Sequence, residues 1–284
     1  MKVIVLGITG MLGNAMFRFL AANKSLGVYG TARSANAKRF FSSEMHDRIL
    51  YGVDVESQDS LIKVFDEVRP QVIINCVGLV KQLAESANPL QAVPINTLLP
   101  HRLRALGKMI GARVIHISTD CVFSGAKGGY KEADFPDADD LYGRTKLLGE
   151  LHDVGAITLR TSIIGRELSS ANSLIGWFLA QNGTVSGYTK AIFSGLPTVE
   201  LARVVRDYVL PNSELHGLYH VAAQPTNKYD LLQIVTQVYG KEITIVPSEA
   251  VCIDRSLDAT KFFDATGYVS PDWVTLVKRM HEFN

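Results

Sequence analysis

The chain has 284 residues, 47% hydrophobic and 20% charged, enough for a large core or for one domain with a smaller lobe. Lys and Arg number 29 against 28 Asp and Glu, so no global field draws in nucleic acid or an anionic membrane, and any anion must be caught locally. The three cysteines, Cys76, Cys121 and Cys252, lie too far apart for a disulfide framework or a metal spacing, which fits a reduced, cytoplasmic setting.

Apolar residues 3–6 predict the first strand. The run is strand-length and interrupted by Gly7 and Gly10, so no signal peptide is expected. No stretch approaches the roughly 20 apolar residues of a membrane helix. A helix follows at 11–20. Strand-like runs recur at 27–32, 71–76, 114–118 and 156–160, with a shorter one at 49–53. Between them, residues 57–68, 89–111 and 139–152 carry helical periodicity. Strands alternating with helices predict crossover units and a parallel sheet. The run Val72-Ile73-Ile74 predicts burial on both faces. After residue 161 the pattern loosens. It predicts a loop at 168–172, a short amphipathic helix at 173–180, a helix at 199–209, a strand at 218–221 and a helix at 228–239. The expected class is α/β. A Rossmann-type, doubly wound parallel sheet occupies residues 1–161. Residues 162–284 form mainly a smaller substrate-binding lobe, interleaved with the end of the sheet.

The first strand runs into Gly7-Ile8-Thr9-Gly10-Met11-Leu12-Gly13. Gly7 permits a tight turn, Gly10 lets the backbone approach a phosphate, and Gly13 lets the helix pack near the sheet. The helix N-terminus then offers free N–H groups and a positive dipole end to a dinucleotide pyrophosphate. An acidic residue closing the second strand would bind the ribose hydroxyls of NAD. This chain has Thr31-Ala32-Arg33-Ser34 there. Arginine pairs well with phosphate, so Arg33, with Ser34 beside it, favours NADPH and leaves NADH open. The GxxGxxG spacing resembles the short-chain dehydrogenase/reductase superfamily in its extended branch. That resemblance implies adenine contacts at Asp54-Val55, after the third strand. It also implies that the adenosine half passes Cys76-Val77-Gly78, after the fourth. Cys76 is then a small filler rather than a nucleophile.

The second informative word is Tyr142-Gly143-Arg144-Thr145-Lys146. Positions i and i+4 share a helix face, and Asp139 or Asp140 can cap that helix. A free tyrosine ionises near pH 10. One positive charge at about 4 Å, in an effective dielectric near 20, is worth roughly 4 kcal/mol, close to three pH units. Lys146, helped by an oxidised nicotinamide, would bring Tyr142 towards neutrality as a general acid or base. It can also hold the nicotinamide ribose. The fifth strand ends in His116-Ile117-Ser118-Thr119-Asp120, at the carboxyl edge where open parallel sheets bind ligands. The extended-branch resemblance implies Thr119 as the hydroxyl partner of Tyr142, with Ser118 the second candidate.

The run Ser118-Thr119-Asp120-Cys121-Val122-Phe123-Ser124-Gly125, then Glu132-Ala133-Asp134, then the Tyr142 word, resembles the dTDP-4-dehydrorhamnose reductase family and its sugar-nucleotide reductase relatives. Arg160-Thr161-Ser162 and Gly195-Leu196-Pro197-Thr198 are similar to later landmarks of that family. The resemblance implies NADPH-dependent reduction of a nucleotide-activated 4-keto sugar for a bacterial surface polysaccharide, by a protein that often dimerises. Two places depart from it. Cys121 stands where the rhamnose enzymes have Tyr. Gly78-Leu79-Val80-Lys81-Gln82-Leu83-Ala84-Glu85 replaces their acidic, lysine-containing word. Lys81 is a candidate for the sugar or a phosphate, with a solvated lysine as the alternative. Cys121, Val122, Phe123, Arg166 and Thr198 are further substrate-side candidates.

Cys121 opens a second enzyme class, since a cysteine at the similar place serves proton transfer in GDP-fucose synthase. That reaction needs a partner acid, and neither His216 nor His220 sits in a matching motif. A buried, structural Cys121 is the alternative. A 4,6-dehydratase would need a second carboxylate after Asp120. The regulatory subunit of methionine adenosyltransferase resembles the same family, so a non-catalytic NADP-binding role stays open. No metal site is expected.

Overall fold

In β1 (Lys2–Leu6), Val3 and Val5 enter one apolar cluster while Ile4 and Leu6 enter another. A strand with no polar face must be covered on both sides, and this one lies inside the sheet, with a strand on each side. The structure is a computed structural model describing residues 1–81 and 84–283. The strands are β1, β2 (Gly27–Ala32), β3 (Ile49–Tyr51), β4 (Val72–Asn75), β5 (Arg113–Thr119) and β6 (Ala156–Thr161). There follow β7 (Ile163–Ile164), β8 (Thr184–Phe193), β9 (Leu196–Pro197), β10 (Gly217–His220), β11 (Thr226–Asn227) and β12 (Thr244–Asp254). A seven-stranded sheet has the order β10-β6-β5-β4-β1-β2-β3, and every pair in it is parallel. The chain winds outward from β1 to β3, then crosses back to β4, so the switch point lies between β1 and β4.

Helices cover both faces. On one, α1 (Met11–Ala21) buries Leu12, Met16, Phe17 and Leu20. On the other, α2 (Gln58–Val68) buries Leu61, Val64, Phe65 and Val68. The expected helix at 89–111 is α3 (Pro89–Ala92), a π-turn at Val93–Leu98 and α4 (Leu99–Met109), run together. Pro94 and Pro100 lack the amide hydrogens that a regular α ladder uses. The Tyr142 word lies on α5 (Leu141–Leu148), capped by Asp140 through the Gly143 amide. It ends at Leu148, with Gly149 as its C-cap, short of the expected residue 152. The strand expected at 49–53 stops at Tyr51, because Gly52 turns the chain with φ +73°.

Beyond residue 161, α6 (Leu174–Ala180) is capped by Ser173. Next comes α7 (Thr198–Val204), which continues into a π-turn at Val205–Val209. It lies against α1. A small sheet, β11-β8-β12, holds α8 (Lys228–Tyr239). α9 (Thr260–Thr266) packs on β10, and α10 (Trp273–Phe283) packs on α7 and α8. No helix among the described residues is long and apolar enough to cross a membrane.

Candidate active site

The glycine loop is shaped by contacts that leave no room for side chains. A Cβ on Gly13 would lie 2.1 Å from the Gly7 carbonyl oxygen, and one on Gly7 would meet Val77 Cγ2 at 2.8 Å. Gly7 also has φ +81°, a conformation suited to glycine. Gly10 precedes α1 in extended backbone, and no side chain caps the helix. Thr9 and Gly10 are exposed, and Met11 is half-buried; Leu12 points into the core. An exposed loop, an uncapped helix of 11 residues and a switch-point crevice fit a dinucleotide pyrophosphate.

Across the crevice, Asn75 closes β4. Its Oδ1 accepts from the Val77 amide at 3.1 Å, and its Nδ2 bonds His116 Nδ1 at 3.2 Å. Asn75 thereby sets the path of Cys76-Val77-Gly78. Cys76 is half-buried, and burial pushes its thiol up to about 12, so it is inert at neutral pH. Arg33 and Ser34 are exposed after β2, with Ser34 accepting from the Asn36 amide at 3.2 Å. Asp54 is exposed and braces its own turn through the Glu56 amide at 2.9 Å. Val55 has its side chain buried with Val53 and Leu61.

Thr119 and Tyr142 come together at the carboxyl end of β5, while Lys146 reaches the same strand at Ile117; contrary to the expectation, Lys146 is not among the groups that act on the phenol. Thr119 Oγ1 accepts from the Cys121 amide at 3.1 Å, donates to Asp120 Oδ1 at 3.2 Å and lies close enough to the Tyr142 phenol to draw it down. Burial raises the phenol above its ordinary value, and the Thr119 contact opposes that rise. Gly143 is what lets α5 approach: a Cβ there would sit 2.3 Å from the Cys121 carbonyl oxygen.

Lys146 is buried, and its Nζ donates to the Ile117 carbonyl at 2.8 Å. That carbonyl lies one residue past the last β4 pairing, Asn75 with His116. A Cβ on Gly78 would come 3.9 Å from Nζ, so the ammonium overlooks the segment leaving β4. Burial pulls Lys146 down to about 8, while Glu150 holds it up. Ser118 is excluded from the site: its hydroxyl points the other way and donates to Glu150 Oε1 at 2.7 Å.

Two residues outside the motifs hold this arrangement. Asn96, buried in the π-turn, accepts from the Leu79 amide at 2.9 Å and donates to Thr145 Oγ1 at 3.3 Å, tying the segment after β4 to α5. An asparagine inside an apolar helical run was the available signal. Glu150 and Arg160 form a buried, two-pronged ion pair with both distances at 2.7 Å. Arg160 also meets His220 Nε2 at 3.4 Å.

The substrate-side candidates separate. Lys81 Nζ reaches Asp140 Oδ2 at 2.5 Å, bridging to the cap of the Tyr142 helix. Burial pushes the Asp140 carboxyl up, but the Gly143 amide and Lys81 more than offset this and hold it below its usual value. Gln82 and Leu83 of the same word lie outside the described residues. Cys121 is half-buried beside Tyr142, and burial, then Asp120, pushes its thiol up to about 12. Val122 and Phe123 are corrected: both are fully buried. Phe123 stacks on Tyr130 at 4.1 Å and lies under the Arg160 guanidinium. Thr198 lies at the start of α7. It is buried against Gly165, where a Cβ would meet its Oγ1 at 2.9 Å. Arg166 is exposed and lines a cavity of about 270 Å³ with Glu167, Ser170 and Leu179. Among the described residues no cluster of His, Cys, Asp and Glu suits a metal ion.

The probable low-salt glycan biosynthesis reductase Agl14 of Haloferax volcanii is 28% identical over 268 residues, 90% of this chain and 86% of that protein. Methionine adenosyltransferase 2 subunit beta of Danio rerio is 27% identical over 253 residues, 84% of this chain and 74% of that protein. Among solved structures, the dTDP-4-dehydrorhamnose reductase of Bacillus anthracis in complex with NADP has a TM-score of 0.79 at 21% identity. The match covers 99% of this chain and 98% of that one. The dTDP-4-dehydrorhamnose reductase of Clostridium acetobutylicum has a TM-score of 0.80 at 22% identity, with 99% of each chain covered. Both share this fold. The RmlD substrate binding domain profile matches residues 1–280, and the chain therefore belongs to that family.

Proposed function

We propose that this protein reduces the keto group of a nucleotide-activated deoxysugar with NADPH, the substrate being like dTDP-4-dehydrorhamnose and the product destined for a bacterial surface polysaccharide. The observation that carries the reading is the closeness of Thr119 and Tyr142 at the end of β5, with Lys146 anchored on the same strand at Ile117, beside an uncapped glycine loop. In this reading residues 1–161 hold the cofactor and residues 162–284 mainly hold the substrate. The pyrophosphate rests on residues 7–13, with Arg33 on the 2′-phosphate. NADPH supplies the hydride. Tyr142 gives its phenolic proton to the developing alkoxide, and Thr119 orients the same oxygen. Burial keeps the phenol protonated, the form that an acid in a reduction requires. Lys146 supports the phenolate left behind. Lys81 and Arg166 are the charged side chains proposed to meet sugar or phosphate. A cytoplasmic homodimer completes the proposal, and light scattering tests its stoichiometry.

Arg33→Ala is expected to weaken NADPH binding about 10- to 100-fold and to leave NADH within about twofold. That is the scale of one charged hydrogen bond, 1.5–3 kcal/mol. Calorimetric titration with both cofactors checks it; equal losses for both would remove Arg33 from the 2′-phosphate. Cys121→Ser is expected to keep kcat within about twofold, because a buried thiol pushed up to about 12 packs rather than moves protons at neutral pH. Abolished turnover in that variant would restore the epimerase reading.

The likeness to methionine adenosyltransferase 2 subunit beta supports a second reading, NADP binding without turnover. Mixing the protein with NADPH and dTDP-4-keto-6-deoxy-L-mannose, and following the NADPH absorbance band, separates the two. Oxidation supports the reductase. Bound NADPH that is not consumed by this or related keto-sugar nucleotides supports the binder.

A further inference from the structure

A buried ammonium loses its proton readily unless a neighbour sustains the charge. Lys146 is buried, and the groups packed around it differ in what they offer. His116 on β5 is neutral, since burial holds it well below its ordinary value. The Cys76 thiol, leaving β4, is protonated at neutral pH, as is the Tyr142 phenol on α5 itself. Glu150, just past α5, brings a carboxylate with no side-chain exposure. Behind it, on β6, Arg160 grips both carboxylate oxygens, and a neutral His220 backs the guanidinium.

The geometry joins the pair to Lys146. Lys146 and Glu150 are four residues apart, and they hold consecutive residues of β5: the Ile117 carbonyl and the Ser118 hydroxyl. Ser118 and Arg160 are register partners in the sheet, so the ion pair sits directly beside the strand end that Lys146 grips. A buried ion pair is weak as a stabiliser. We propose that Glu150, locked in place by Arg160, is a positioning residue for Lys146: tied to Ser118 and to β6, it fixes the helix end from which Lys146 reaches the Ile117 carbonyl. The inference rests on Lys146 being the working cation of the proposed reduction.

The test reads Lys146 itself and needs no substrate. Protein labelled with ¹³C at lysine Cε is titrated by NMR, and the Lys146 resonance is assigned by its loss in Lys146→Met. The wild-type midpoint is expected near 8. In Glu150→Gln it should fall by about one pH unit or more, because removing a nearby negative charge disfavours the ammonium. That variant leaves Arg160 unpaired and can fail to fold, so Glu150→Gln with Arg160→Gln is measured beside it. The double variant leaves neither partner of the ion pair alone, and its midpoint should also fall. Glu150→Asp should return the midpoint towards the wild type. Ser118→Ala loosens the same cluster without changing charge and should leave it unmoved. A folded double variant that titrates like the wild type overturns the proposal, as does an equal fall in Ser118→Ala. Failure to reduce any sugar leaves these midpoints untouched, so the two readings fail separately.

Discussion

Replacing Tyr142 with Phe is expected to lower kcat about 10²- to 10⁴-fold and to leave NADPH affinity within about a factor of two. The lower bound is what a positioned acid or base is usually worth, and the upper bound is its ordinary ceiling. The ring stays and keeps its packing on α5; only the hydroxyl near Thr119 is lost. That hydroxyl makes at most an ordinary hydrogen bond, so stability should fall by no more than about 1.5 kcal/mol. The cofactor loop lies on other elements, with Gly7 and Gly13 shaped by Val77 and by each other. Steady-state kinetics and a fluorescence titration of NADPH check both halves. A variant that turns over like the wild type removes Tyr142 from the chemistry.

Gly143→Ala carries the second large effect, and two physical terms disagree about its sign. Helix propensity favours alanine by about 1 kcal/mol. Packing opposes it, because the new Cβ would sit 2.3 Å from the Cys121 carbonyl oxygen and 2.6 Å from Ala138 Cβ. A backbone oxygen cannot rotate away as a flexible side chain can. Packing therefore wins, and α5 must retreat by about an ångström, taking Tyr142 and Lys146 with it. A displacement of that size costs about 100-fold in rate, and overpacking costs about 1–3 kcal/mol of stability. The expected result is a folded protein with a lower Tm, kcat down about 100-fold and NADPH still bound. Unchanged kcat in folded Gly143→Ala would show that the approach of α5 to the end of β5 is not needed.

Much of this fold was legible because the central strands have no polar face. Val3 to Leu6 and Val72 to Ile74 can only be interior strands, and the helices between them force parallel order. The edge elements gave weaker patterns. β12 is largely exposed, and its register on β8 shifts between Ser248 and Cys252, so it shows no steady alternation. The Tyr142 word and the glycine loop were readable because both chemistries need fixed spacings within one turn or one helix. Side-chain direction was not readable. Val122 and Phe123 follow Thr119 closely in sequence, yet both turn into a small core with Tyr130 and Leu257. The Glu150–Arg160 pair was hidden for a different reason: it exists only once β6 is laid in register with β5.

The central claim is hydride delivery to a sugar carbonyl, and isotope transfer tests it most directly. A single turnover with NADPH deuterated at the transferred position of C4, and with dTDP-4-keto-6-deoxy-L-mannose, should place deuterium on the new carbinol carbon of the sugar. Cofactor that stays bound and reduced, or is oxidised with no deuterium in the sugar, would contradict the account.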